Sequence, residues 1–185
     1  MVGRVTTSVM VRRERPTDRD DIRRVHDAAF PTTLESRLLD ALRADAGWLP
    51  RLSLVAVADG AVVGHVVATR AWVDRAVDLA LPHSGGGPAA ALGIGPLGVH
   101  PDLQRHGVGA ALMHGLIGAA EALDETLLGL LGEPAYYRRF GFVAASELGV
   151  LSPDPAWGAY FQARRLAEDA PLGAFRYAEP FNQLD

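Results

Sequence analysis

Gln104-Arg105-His106-Gly107-Val108-Gly109 decides the reading of this chain. Upstream, Val99-His100-Pro101-Asp102 closes an apolar run; downstream, Val108 to Leu123 is the clearest helical pattern in the sequence. Free N–H groups at a helix N-terminus, together with the positive end of its dipole, form an anion site. Gly107 and Gly109 carry no Cβ, so a phosphate can approach the backbone closely, and Arg105 can add a charge-assisted bond. Val108, Leu112, Leu116, Ala119 and Leu123 lie on one side and would anchor the helix to a sheet. Spacing alone leaves two readings open, a phosphate cradle or an ordinary glycine-rich turn before a helix.

Working outward, Val9 to Arg13 reads as a first strand ending at Pro16. Thr17 or Asp18 can cap a helix running through Asp27, with Ile22, Val25 and Ala29 at helical spacing. A second helix follows Pro31 up to Gly47, capped by Thr32 or Thr33 and striped by Leu34, Leu38, Leu39 and Leu42. The period then changes. Leu52 to Ala58 and Ala61 to Thr69 are β-branched-rich runs joined by Asp59-Gly60, a hairpin signal. Trp72 to Leu81 suggests a further strand, Pro82 to Pro88 an exposed loop, and Ala91 to Val99 another apolar strand. Thr126 to Leu131 reads as a strand and Ala135 to Phe140 as a short helix stopped by Gly141. This order implies an α/β fold with a mixed sheet and helices on both faces.

The 185 residues favour one domain spanning 1–185, with 166–185 as its C-terminal extension, and the 49% apolar content can fill a core. A net charge of -4 argues against a general nucleic-acid binder, which needs an excess of cations. With no cysteine, thiolate catalysis, disulfides and Cys-based metal sites are excluded, and the six histidines show no ligand spacing. No signal-peptide core or membrane-length apolar run is found, so a cytoplasmic protein is expected.

Leu97 to Leu112, centred on the Gln-x-x-Gly-x-Gly of Gln104 to Gly109, resembles motif A of the GNAT superfamily of N-acetyltransferases. Ala135-Tyr136-Tyr137-Arg138-Arg139-Phe140-Gly141-Phe142 resembles the tyrosine-containing motif B, in the expected order after one helix and one strand. Leu131-Gly132-Glu133-Pro134 and the closing Arg176-Tyr177 to Phe181 are similar to the YhbS-like branch of predicted acetyltransferases. The resemblance implies a central, mostly antiparallel sheet splayed between the motif A strand and the next. It implies acetyl-CoA as co-substrate, no metal, and an amine acceptor. The pantetheine arm is then expected along the backbone of Leu97 and Val99. The pyrophosphate is expected on the N–H groups of Gln104, Arg105, His106, Gly107, Val108, Gly109 and Ala110, with Tyr136 beside the cofactor.

Acyl transfer from a thioester needs a neutral amine, an oxyanion stabiliser and an acid for the departing thiolate. By resemblance, Tyr137 stands at the general-acid position and backbone N–H near Val99 at the oxyanion; packing alone is the other role open to Tyr137. Many relatives carry a strand Glu as base, but Leu92, Ile94 and Pro96 occupy those positions here. Glu35, His65 and His100 remain as candidate bases, with Glu35 preferred. Without a strand carboxylate, a non-catalytic acyl-CoA sensor or interaction module is the competing reading. Pro96 lacks an N–H and fits an edge or bulge.

Two decoys need separate treatment. Gly93-Ile94-Gly95-Pro96-Leu97-Gly98 spells a dinucleotide fingerprint, but no helix starts there. His83-Ser84-Gly85-Gly86-Gly87 is like an esterase oxyanion loop with no nucleophile elbow to serve it. The acceptor groove is expected from the first two helices, the 70–90 region and the C-terminal strands, where Phe30, Trp48, Trp72, Trp157 and Phe161 are available for pocket or core. The oligomeric state is open, a homodimer through the C-terminal region being one option.

Overall fold

The computed structural model describes residues 8–75 and 87–183. Its sheet runs in the order β1 (Val9–Arg13), β2 (Ser53–Ala58), β3 (Ala61–Arg75), β4 (Ala89–Val99), β5 (Leu127–Leu131), β8 (Phe161–Arg165) and β6 (Val143–Ala144), with β9 (Gly173–Arg176) on β3 and β7 (Val150–Leu151) on β9. The first three strands, β1, β2 and β3, are all antiparallel. Asp59 and Gly60 make the β2–β3 turn with φ of 49° and 82°, the left-handed pair that a two-residue hairpin demands. The expected strands at 61–69 and 72–81 are one strand of 15 residues as far as Arg75. The alternation continues through the apparent break. Ala71 is buried, while the Arg70 guanidinium reaches the Glu125 carboxylate through two 2.7 Å bonds. Residues 76–81, and all but the end of the expected loop at 82–88, lie outside the described residues.

β4 (Ala89–Val99) pairs antiparallel with β3 and parallel with β5 (Leu127–Leu131). Opposite β3, the register jumps from Val66↔Leu97 to Ala68↔Ile94, so Gly95 and Pro96 together face Val67. That is a bulge, and it absorbs the proline whose missing N–H would otherwise break the ladder.

Helices cover both faces. α3 (Val108–Glu121) buries Val108, Leu112, Met113, Leu116, Ile117 and Ala120 against Leu54, Ala56, Val66 and Leu92. On the other face, α1 (Arg19–Ala29) and α2 (Leu34–Ala44) pack Ile22, Leu38, Leu39 and Leu42 on Val55 and Val67. Neither expected cap residue of α1 caps it through its side chain. The Asp18 carboxylate instead holds the Arg12 guanidinium at 2.6 and 2.9 Å and accepts the Arg15 N–H at 2.7 Å. No described helix is long and apolar enough to cross a membrane.

After β5 come α4 (Pro134–Tyr137), β6 (Val143–Ala144), β7 (Val150–Leu151), β8 (Phe161–Arg165) and β9 (Gly173–Arg176). β8 pairs with β5, and β9 joins β3 through Trp72↔Arg176 to Arg75↔Gly173. Within the 166–185 segment, residues 173–176 join the sheet as β9. A third cluster gathers Phe161, Phe175 and Tyr177 with Leu127 and Val73 at this end of the sheet.

Candidate active site

The anion cradle forms where β4 hands the chain to α3. A 3-10 turn at Pro101–Leu103 is followed by two left-handed residues, Arg105 at φ 62° and Gly107 at φ 87°, which swing the chain into the helix. The Gln104 side chain donates to the Val99 carbonyl at 3.1 Å, and a ring nitrogen of His106 stands 2.8 Å from the Gln104 carbonyl. The expectation that the row of free N–H groups begins at Gln104 needs correction, because the Gln104 N–H donates to the Pro101 carbonyl at 3.2 Å. Gly107, Val108, Gly109 and Ala110 head the helix, where no preceding turn supplies acceptors. Nothing lies within 4 Å of where a Cβ on Gly107 would stand, so the approach is open. Gly109 is small for a different reason: its Cβ would stand 2.6 Å from the Tyr136 hydroxyl oxygen.

Beside the cradle the sheet parts. Parallel pairing ends at Ile94↔Leu130, yet β4 continues to Val99 while β5 stops at Leu131. The gap leads into a cavity of about 890 Å³. Its strand wall includes Gly95, Pro96, Leu97 and Gly132; Tyr136 and Tyr137 come from α4; Phe30, Glu35 and Leu38 come from the helical face. The remaining wall is C-terminal, with Asp154, Trp157, Tyr177 and Phe181.

Glu133 caps the short α4 by accepting the Ala135 N–H at 3.3 Å, and left-handed Gly141 (φ 80°) ends the 3-10 turn behind it. The Tyr137 ring lies against Gly132, where a Cβ would come within 2.3 Å of it, and meets Tyr136 and Phe142 edge-on. Burial, with a smaller contribution from Tyr136, pushes the Tyr137 phenol up to about 12, so it is protonated at neutral pH. Burial likewise raises Tyr136, against the opposing pull of the Arg139 guanidinium 4.8 Å from its ring centre.

The three candidate bases separate clearly. Glu35 lines the cavity and its Oε2 is buried without a hydrogen-bond partner. His100 is on the surface, accepting the Asp102 N–H at 3.4 Å. His65 is fully buried on the α1–α2 face, between His26 at 3.0 Å and Ser53 at 2.9 Å. Only Glu35 among the three shares the cavity with Tyr137.

Residues 19–142 match the Acetyltransferase (GNAT) family. The chain belongs to that family. It is 34% identical over 140 residues to the uncharacterized N-acetyltransferase YjhQ of Escherichia coli K12, covering 75% of this chain and 72% of the relative. It is 30% identical over 180 residues to the uncharacterized N-acetyltransferase YhbS of the same strain, covering 95% of this chain and all of the relative. The crystal structure of Escherichia coli YhbS in complex with CoA superposes with a TM-score of 0.83 at 27% identity, over 95% of this chain and 93% of that one. A GNAT family acetyltransferase from Brucella melitensis in complex with acetyl-CoA gives 0.69 at 31% identity, over 95% and 99%. The mixed sheet, in which the parallel strands β4 and β5 splay, is therefore the GNAT fold.

Within this GNAT chain the dinucleotide-like Gly93 to Gly98 has a packing explanation. A Cβ on Gly93 would meet the Tyr177 ring at 2.5 Å, and one on Gly98 would meet the His26 ring at 2.9 Å. Gly95, at φ 147°, lies under Phe181. The glycines are sockets for aromatic rings. Tyr177, Phe181 and Asp154 were missed as cavity residues; for Tyr177 and Phe181 the strand glycines Gly93 and Gly95 were the available signal. Of the aromatics expected near the acceptor, Phe30 and Trp157 line the cavity, whereas Phe161 is buried. Trp48 packs on the α1–α2 cluster and Trp72 lies near the Arg176 guanidinium.

Proposed function

We propose that the protein moves an acetyl group from acetyl-CoA to a primary amine of a small molecule or peptide. One juxtaposition carries this reading: Tyr137 and Glu35 face a single cavity, opening where β4 leaves β5 and beside the exposed head of α3. The residues present suit the donor. The head of α3 offers N–H groups and a positive dipole end to a pyrophosphate. Arg105 and His106 stand exposed next to that row. Main-chain groups of Leu97 and Val99, beyond the β5 pairing, suit an amide-bearing arm added as a strand. The CoA and acetyl-CoA of the Escherichia coli and Brucella structures support the choice of donor. Bound there, acetyl-CoA supplies an acyl group already activated as a thioester.

Glu35 takes one proton from the substrate ammonium, which frees the nitrogen lone pair to form the new C–N bond. Tyr137 gives its proton to sulfur as the C–S bond breaks and is reprotonated from the amine nitrogen or water. The products are an amide, a free thiol and one released proton.

The test is thiol release from acetyl-CoA across a panel of amines and peptides. All 18 basic residues are arginine, so the chain carries no lysine amine of its own to consume acetyl groups. Sustained release that falls about 10²-fold in Tyr137→Phe is the expected result. Tight acetyl-CoA binding without release on any acceptor would make the protein a sensor instead.

A further inference from the structure

The cavity is asymmetric in charge. Glu35, Glu133 and Asp154 line it, and no arginine or histidine does so among the described residues. The Glu133 and Asp154 carboxylates each have one oxygen on a backbone N–H, at Ala135 and Ala156. Those bonds fix the carboxylates without neutralising them. The Glu35 Oε2 has no partner, and neither has the Tyr177 hydroxyl, which belongs to a residue only 7% exposed in the same wall. Burial raises the Tyr177 pKa, so that hydroxyl is neutral and able to donate or accept. Between these polar points the surface is aromatic and apolar, formed by Phe30, Leu38, Trp157 and Phe181.

An unpaired buried hydroxyl and an unpaired carboxylate oxygen cost free energy unless a ligand satisfies them. Three carboxylates around an apolar pocket favour a cation and disfavour an anion. Aromatic faces add attraction for an ammonium group and a surface for a flat or aliphatic body.

We infer that the acceptor is a cationic primary amine on an apolar or aromatic body and lacking a carboxylate, its ammonium held among Glu35, Glu133 and Asp154. The body lies against Phe30, Trp157 and Phe181, with the Tyr177 hydroxyl able to meet a polar atom where the body carries one. This rests on the acyl-transfer reading of the cavity, whose fate is read out separately.

The experiment pairs phenethylamine with phenylalanine, which differ by one carboxylate. Binding to the CoA-loaded protein is followed by calorimetry, and thiol release from acetyl-CoA is measured in parallel. Phenethylamine is expected to bind at least about ten-fold tighter than phenylalanine, as one added like charge near several carboxylates implies. In a Glu133→Gln, Asp154→Asn double variant, which keeps both capping oxygens and removes both charges, that preference should shrink several-fold. Equal binding, preference for phenylalanine, or no binding of either overturns the inference. Thiol release on phenylalanine but not phenethylamine also overturns it and leaves acyl transfer standing. Selective phenethylamine binding with no thiol release on any amine or peptide of the panel leaves the inferred ligand class standing and overturns acyl transfer.

Discussion

His26 Nε2 and His65 Nδ1 stand 3.0 Å apart in the interior, on residues that are 1% and 0% exposed. The bond is one link in a chain across the α1–α2 face. The other His65 nitrogen meets Ser53 Oγ at 2.9 Å, Ser53 donates to Glu14, and the Arg43 Nε–H donates to the same carboxylate at 3.0 Å. If each proton points toward Glu14, every link is satisfied and His26 Nδ1 is left as a bare acceptor facing Gly98. That matches its lack of a partner. Charging His65 would set a second N–H against that of His26, and charging His26 would bury a cation whose Nδ1 proton has no acceptor.

Acid stability follows from this chain. Burial, then His65 and Arg43, lowers the His26 pKa from 6.5 to about 2, and burial also lowers His65. A depressed histidine is neutral in the fold while the unfolded chain takes up the proton, so stability falls as pH drops below about 6.5. The slope is about 1.4 kcal/mol per pH unit for each histidine, with no histidine contribution above pH 7.5. Glu14 acts in the same direction at lower pH: burial would raise it, but His65, Ser53 and Arg43 together lower it. Urea unfolding between pH 5 and 8 measures this, and a midpoint that does not move between pH 6.5 and 5 would falsify it.

The Tyr137 phenol gives a kinetic prediction. An ordinary tyrosine acid loses its proton near pH 10, but burial holds this one to about 12. Its donor form therefore persists across the working range, and kcat should show no falling limb between pH 8 and 10. Tyr137→Phe should lower kcat about 10²-fold with the acetyl-CoA affinity unchanged. A limb near pH 9 that vanishes in Tyr137→Phe would mean that the phenol ionises far more easily than its burial allows.

Gly132 provides a way to move that phenol without deleting it. A methyl group there would lie 2.3 Å from the Tyr137 ring, which Phe142 and Tyr136 hold from other sides. Gly132→Ala should cut thiol release about 10²-fold, the size expected when a reacting group is displaced by roughly an ångström. Near-wild-type activity in a folded Gly132→Ala variant would show that the ring position is not what matters.

Much of this arrangement is legible in the chain because local chemistry and global fold agree there. The Asp59-Gly60 turn, the β-branched-rich run of β2 and the apolar stripe of α3 each answer to one short-range rule. Glu35 and Tyr137 could be picked out, but not joined. They share a cavity only because α2 and α4 both border one opening, and no period in the sequence encodes that. The C-terminal strands escaped for a related reason: β6 and β7 have two residues each, too few to show alternation. Tyr177 gains its place by filling the hole at Gly93, a partnership across the fold that leaves only a glycine as its trace.

The two cradle glycines should fail differently when given a methyl group. Gly107 has a left-handed φ of 87° and open space around it, so Gly107→Ala should cost about 1–2 kcal/mol of stability. It should also weaken acetyl-CoA binding, since the methyl projects where the anion must approach. Gly109 sits inside α3, where alanine is favoured by about 1 kcal/mol, but its Cβ would stand 2.6 Å from the Tyr136 oxygen and 3.7 Å from the ring carbon bearing it. The clash is thus with one atom. Gly109→Ala should lower activity by displacing Tyr136, and adding Tyr136→Phe should restore part of what was lost. A cycle of the two single variants and the double variant measures that coupling. Strictly additive losses would mean that the tyrosine hydroxyl and the glycine act independently, and that Gly109 is small for the phosphate alone.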